Sequence, residues 1–348
     1  MPILGADLPV IFYDEAQFSR ADLLGSGLAV YFSDFGLAAS RTAVTSATMA
    51  GDRARHAPGA GNLAITGSLG LELSPTNAAY WLRHVLGSVQ IAGGDGSPWV
   101  VTFIPGALPT GLRLERDWRA AGIADRVEVF AGCRVSAATL DLPQEGAVTL
   151  ALDLVGRDYA LEAAPAAAGA LDLEHVGWFA SDASLSLDGV PAARVKTFSL
   201  TVDNGLDTTR YTLGTGGRRV DLPEGFCSVS GQFTALVDTD LFAACLEPAL
   251  DRTPVSLALD LAHGAGDGTA ANERLVVTLD PVLLELASPA IASPNGLEVT
   301  VSFTAYRATA PGLAIALSTP LTPGERLYEA GGDPLSDSDL SPLFALPG

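Results

Sequence analysis

Four histidines and three cysteines are the residues best suited to metal binding or nucleophilic chemistry in this 348-residue chain. His56, His84, His175 and His263 stand in unrelated contexts, without the HxH, HxxxH or HExxH spacing that aims two imidazoles at one metal. Cys133, Cys227 and Cys245 lie far apart and share no metal-ligand spacing. They read as small core residues or free thiols of a reducing compartment, not as a disulfide framework. There is no GxSxG elbow and no obvious Cys–His pair, and the carboxylates are too evenly scattered to nominate an acid and a base. The expectation is a non-enzymatic protein, with no catalytic, cofactor-binding or metal residue to name.

Glycine-rich stretches offer little more. GTGGRR (214–219) lacks the GK[ST] ending of a phosphate loop and reads as a turn between Tyr211 and Val220. HGAGDGTAANE (263–273) and AGGDGS (92–97) each hold one Gly-Asp-Gly, whereas a calcium repeat needs several in tandem; ordinary hairpin loops are expected. GGDPLSDSDLS (331–341) lacks the Gly and terminal Glu of an EF-hand loop and reads as a solvated charge run. RLERDWR (113–119), with Arg126 nearby, is the densest basic patch. Contact with DNA, Trp118 stacking, is the weaker reading there. Interleaved Glu115 and Asp117 favour salt bridges across a subunit interface, or plain solvation.

If the side chains carry no chemistry, the elements that hold them must carry the function. Apolar residues make up 48% and charged residues 17%, which is globular material, and the 37 Gly and 22 Pro suit many short strands joined by tight turns. No apolar run is long enough to cross a bilayer, and the first residues lack the basic and apolar regions of a secretory signal. Net charge is −20, divided as −8 up to Glu174 and −12 beyond it. Spread in that way, it opposes gripping nucleic acid and suits a surface past which DNA slides.

An internal repeat organises the chain. Gly61–Leu86 laid over Gly225–Leu250, at a constant shift of 164, matches Gly61 with Gly225 and Gly67 with Gly231. Leu63/Cys227, Ile65/Val229, Leu69/Phe233, Leu71/Ala235 and Leu73/Val237 keep one apolar alternation, the period of a half-buried strand. The period then becomes helical, started by Ser74-Pro75 in one copy and Asp238-Thr239 in the other. Further on, PQEGAVTLAL (143–152) resembles PNGLEVTVSF (294–303), two hairpins turning near Gly146 and Gly296. The fold class expected is mainly β: two tandem β-sandwich domains, each with a short helix. Residues 1–160 form the first with its N-terminal segment, 161–172 (LEAAPAAAGALD) a linker, 173–310 the second, and 311–348 an extended C-terminal arm. Gly61, Gly67, Gly225 and Gly231 are expected to relieve crowding at bulges.

GAGNLAITGSLGLELSPTNAAYWLRHVLG and VEVFAGCRVSAATLDLPQEGAVTLALDLVGRD resemble the tail tube proteins of long-tailed, siphovirus-like bacteriophages; KTFSLTVDNGLDTTRYTLG and RRVDLPEGFCSVSGQFTALVDTDLF look like the corresponding second-half elements. The resemblance covers about residues 55–310. It implies a homo-oligomer: subunits join edge to edge into rings, the inner strands close a large β-barrel, and rings stack into a hollow tube. The tube holds the tape-measure protein, conducts DNA without sequence-specific binding, and meets tail terminator and distal tail proteins. Location in the virion after synthesis in the host bacterial cytoplasm, with no membrane anchoring and no cofactor, follows from the same likeness. Family rings hold six sandwich domains, so a chain carrying two forms a homotrimeric ring with pseudo-sixfold symmetry; the alternative is a homohexamer with one copy decorating the outside. Strands near 127–155, 195–204 and 282–305 are then expected in the barrel wall, with Asp141, Asp153 and Asp203 facing the lumen. The rival class is another virion β-sandwich protein, a capsid decoration or baseplate component. A cupin-like or carbohydrate-active enzyme lacks the clustered His and carboxylates it would need.

Overall fold

Alternating apolar and polar residues put one buried and one exposed face on most segments, and the chain folds as antiparallel strands around one apolar cluster. A computed structural model describes residues 8–19, 23–48, 55–94, 97–166, 176–192, 194–238, 242–289, 291, 296–308 and 311–320. The N-terminal half comprises β1 (Val10–Glu15), β2 (Leu23–Val30), β3 (Asp34–Phe35), β4 (Ala38–Val44), β5 (Gly59–Glu72), α1 (Pro75–Leu86), β6 (Gly87–Gly94) and β7 (Ser97–Pro105). It continues with β8 (Leu112–Asp117), β9 (Val127–Leu142), β10 (Thr149–Gly156) and β11 (Asp158–Glu162). The C-terminal half adds β12 (Ala183–Leu187), β13 (Val190–Pro191), β14 (Val195–Asp203) and β15 (Ser228–Leu236). A π-helical turn at Phe242–Leu246 then leads into α2 (Glu247–Asp251). After it come β16 (Val255–Ala262), β17 (Arg274–Leu284), β18 (Glu298–Ala305) and β19 (Leu313–Thr319).

The halves pair their strands in the same order. In the first, the chain of neighbours is β2-β1-β8-β9, with β11 on the other side of the first part of β9. In the second it is β13-β12-β16-β17, with β19 on the other side of β17. Each long strand then leaves that layer for the other. The later part of β9 pairs with β10, then β5, then β4, just as the end of β17 pairs with β18, then β15, then β14. Two pairings join the halves: β9 with β14, and β7 with β19. The result is a β-sandwich. One layer runs β4-β5-β10-β9-β14-β15-β18; the opposing layer contains β6-β7-β19-β17-β16-β12, with the β2-β1-β8 strands beside it.

Between the layers lie Ile65, Leu69, Leu152, Phe198, Phe233 and Phe303 from one side and Leu257, Leu259, Leu275, Val277, Leu313 and Leu317 from the other, all buried. Burial at about 25 cal/mol per Å² of apolar surface makes this cluster the main stabilising element. Helix α1 begins where the sequence places it. Ser74 caps it, accepting from Asn77 N at 3.2 Å while Asn77 Oδ1 accepts from Ser74 N at 2.9 Å, and Pro75 occupies the first turn. Its buried face carries Ala78, Trp81, Leu82, Val85 and Leu86.

The second helix is shorter than α1, and residues 239–241, within the expected start at Asp238-Thr239, lie outside the described residues. The stretch expected to be an arm from residue 311 contains β19, which pairs on both sides and is core. A strand of seven residues with the alternation LAIALST is a sheet element despite Pro and Gly on its flanks. Residues 321–348 and 167–175, which include His175 and the second half of the expected linker, are outside the described residues.

Candidate assembly surface

The layer that runs from β4 to β18 buries one face and exposes the other. Its exposed positions fall in register across both halves. Ser68 stands opposite Asp153, Asp153 opposite Ala137, Ala137 opposite Asp203, and Asp203 opposite Ser228. The next row runs Gly70, Ala151, Thr139, Thr201, Ser230, Thr304, and the next Glu72, Thr149, Asp141, Ser199, Gln232, Ser302. Asp141, Asp153 and Asp203 therefore share one face, and all three are exposed. Asp153 and Asp203 lie in the same row with Ala137 between them. Asp203 also accepts from Gly205 N at 2.8 Å, closing the turn after β14.

Small hydroxyl residues make this face smooth. Thr139 and Thr201 hydroxyls meet at 3.2 Å across the β9–β14 joint, and Thr234 and Thr300 at 2.9 Å. Asp34 and Glu298 stand on the same face; Ser68 donates to Asp34 at 3.0 Å. Lys196, at the bulge that begins β14, pairs with Glu298 at 2.7 Å. Carboxylates predominate among the charged residues named on this face: Asp34, Asp141, Asp153, Asp203 and Glu298 beside Lys196.

The glycines singled out by the repeat sit at close approaches. A Cβ on Gly67 would lie 2.3 Å from Gly36 O, and one on Gly231 would lie 2.3 Å from Ser199 O. Both residues occupy regular ladder positions; backbone crowds Gly67, and backbone together with the Phe303 ring, 2.5 Å from such a Cβ, crowds Gly231. Gly61 lies where the β4–β5 register shifts, and Gly225 lies outside β15, where a Cβ would come 2.7 Å from Gly205 O.

The basic patch is occupied within the chain. Arg113 bonds Glu115 at 2.6 Å and Glu162 at 2.8 Å, and Arg119 pairs with Asp117 at 2.8 Å. Arg116 pairs with Glu128 and lies over the Phe35, Trp118 and Phe130 rings. Trp118 Nε1 donates to Glu128 at 2.8 Å. These residues build β8 and its turn, with their ion pairs made inside the chain. Periodicity marks β8 as a strand, but not that Glu115 is buried.

Three buried polar groups escaped sequence reading. Asp14 on β1 accepts from Tyr80, from Arg83 at 2.9 Å, and meets His84 Nε2 at 2.8 Å, which pins β1 to α1. Burial pushes its carboxyl up, but His84, Arg83 and Tyr80 outweigh that and hold it well below the usual carboxylate range. Glu15 accepts from Gly132 N at 2.8 Å and Ser19 N at 2.7 Å, bracing β9 where it changes layers; burial pushes this carboxyl up to about 7. Asn204 donates to Val85 O at 3.0 Å and Val135 O at 3.1 Å, stitching β14 to α1 and β9. The spacing Tyr80, Arg83, His84 puts polar groups on one helix side, the one signal that could have exposed the first cluster.

GTGGRR is a turn, bridged by Tyr211 and Arg219, and it folds back on the first half: Leu63 N donates to Gly217 O at 2.7 Å and Arg219 to Gly156 O at 2.8 Å. Among the described residues no group of His, Cys, Asp and Glu could hold a metal ion, and no helix is long and apolar enough to cross a membrane.

A family model described as phage tail tube protein matches residues 9–305, most of the chain. The chain belongs to the phage tail tube protein family. No curated protein matches it. A tail tube protein is a structural component of the virion that self-assembles into a tube.

Proposed function

We propose that this chain is a duplicated tube subunit: three copies form a ring with pseudo-sixfold symmetry, and stacked rings make a hollow tube. Within it the exposed face of the β4-to-β18 layer lines the lumen, with Asp141, Asp153 and Asp203 on its surface. The tube holds the tape-measure protein before infection and conducts DNA during it, in a siphovirus-like virion assembled in the host cytoplasm and completed by terminator and distal tail proteins. The observation that carries the reading is the recurrence of one strand order in both halves, joined through β9 and β14 into one layer with a continuous polar face. A layer with an open edge at β4 and another beyond β17 is an aggregation hazard unless neighbours close it, and a ring removes both edges at once.

Negative-stain microscopy of the purified full chain tests the reading. Tubes or stacked rings are expected on concentration. A dispersed monomer at high concentration would count against it and favour a capsid decoration or baseplate component.

A further inference from the structure

The intrachain β9–β14 joint supplies a template for the joint between chains. Pairing registers make the two halves superimposable by number: β5 maps on β15 at +164, so Phe35, Leu37 and Ala39 fall on Phe198, Leu200 and Val202 of β14, at +163. By the same registers, Ala138 and Thr139 of β9 fall on Leu286 and Ala287, just past β17. We infer, on the ring reading above, that β3–β4 of one chain pairs antiparallel with residues 285–289 of the next, in the register that sets Ala38 opposite Ala287, Ala39 opposite Leu286 and Ser40 opposite Glu285. The occupant of each open edge is a second copy of this chain.

Two independent features of the edges fit that register. The first is burial. Ala138 and Val202 are 3% exposed at the internal joint, whereas their counterparts at the free edges are not: Leu286 is 58% exposed and Ala39 half-buried. An apolar side chain left open at a position whose equivalent is sealed is what a missing neighbour leaves.

The second is backbone direction. Glu285 N donates to Ser302 O at 2.8 Å, so on a strand that carries β17 onward in this register the odd positions face β18 and the even ones outward, although Ala287 packs against the core of the single chain. Pro289 is odd. Its missing N–H falls on the covered side, and the outward donors of Leu286 and Ser288 are retained. On the other edge Gly36 N donates to Ser68 O at 2.8 Å, which turns Leu37 and Ala39 outward to meet them.

The counterparts of Ala38 and Ala287 are Thr201 and Thr139, whose hydroxyls meet at 3.2 Å. A non-hydrogen-bonded antiparallel pair has Cα atoms about 4.5 Å apart, within disulfide range. The test is full-length chain carrying Ala38→Cys and Ala287→Cys in a Cys227→Ser background, because Cys227 is exposed. Assembled tubes are oxidised and run on denaturing gels. Covalent dimers and closed trimers are expected, and they vanish on reduction. The offset pair Asp34→Cys with Ala287→Cys, four residues out of register and roughly 13 Å apart at about 3.3 Å per residue, stays uncrosslinked. Tubes that form but crosslink only at the offset pair, or at neither, overturn this register and leave the ring reading standing. Failure of the Cys227→Ser chain to assemble at all overturns the ring reading and this joint with it.

Discussion

The two halves of the molecule agree on the order of their strands and differ in the helix and hairpin packed beside them. Each places the same succession of neighbours around its long strand, β9 or β17, and each keeps a glycine, Gly67 or Gly231, where backbone approaches too closely for a Cβ. Outside the wall, the first half has a capped helix α1 pinned through Asp14; the second has a π-helical turn and the short α2. The hairpin β6–β7 follows α1 and has no counterpart between α2 and β16, where only residues 252–254 intervene. It covers the β19 edge of the second half, while β11, the strand equivalent to β19, gains no such cover. Charge also differs between equivalent wall positions: Asp153 corresponds to Ser302 and Asp203 to Ser40. Small, hydrogen-bonding residues on the exposed face of the β4-to-β18 layer are common to both halves. Helix length and the exact seat of each carboxylate are free to diverge.

If the first half depends on its pinned strand, Asp14→Ala should cost the most, about 3–5 kcal/mol, because it breaks a largely buried ion pair with Arg83 and removes the acceptor shared by Tyr80 and His84. Denaturant unfolding monitored at the Trp81 environment reads this, and a loss under 1 kcal/mol would remove the asymmetry we draw. Gly67→Ala and Gly231→Ala should each cost about 1–3 kcal/mol, the toll of overpacking, and by similar amounts. A neutral Gly231→Ala beside a damaging Gly67→Ala would mean that the two strands are not equivalent.

Glu15 adds a pH dependence to the first half. Its folded carboxyl titrates at about 7, above the ordinary glutamate value near 4.3, so the folded state binds the extra proton between those limits. Its contribution is therefore present below about pH 4 and lost as pH rises to about 7. Relative to Glu15→Gln, the parent chain should lose on the order of 2 kcal/mol between pH 4.5 and 7.5, read from unfolding free energies at each pH. A difference between the two that does not change with pH would contradict the upward push of burial on the Glu15 carboxyl. Smallest of all, Asp153→Asn should leave stability within about 0.5 kcal/mol and tube formation intact, because the side chain is exposed and its counterpart is already Ser302. Loss of assembly in that variant would place Asp153 in a contact instead of on a lining.

Much of the wall was legible in the sequence because it is periodic. Strict alternation in GNLAITGSLGLEL and GFCSVSGQFTALV marks β5 and β15, and the shift of 164 holds to the residue through Gly67 and Gly231. Ser74-Pro75 announces α1 through local capping chemistry. Buried charge was not legible. Asp14 and Glu15 look like solvated turn residues, and only strand packing against a helix 66 to 70 residues away gives Asp14 its partners. The basic patch misled for the same reason: RLERDWR carries compensating charges, but whether they meet within a chain or between chains depends on where β9 and its Glu128 lie. β19 was missed because Pro311 and the following Gly312 suggest an ending, while its alternation is sustained for only seven residues.

The central claim is that one chain supplies two wall units. A cryo-EM reconstruction of tubes grown from the purified full chain tests it most directly. Six sandwich units around the axis should come from three chains, with α1-bearing units alternating with α2-bearing ones and the face of Asp141, Asp153 and Asp203 turned to the lumen. Six complete chains around the axis, or that face turned outward, would contradict it.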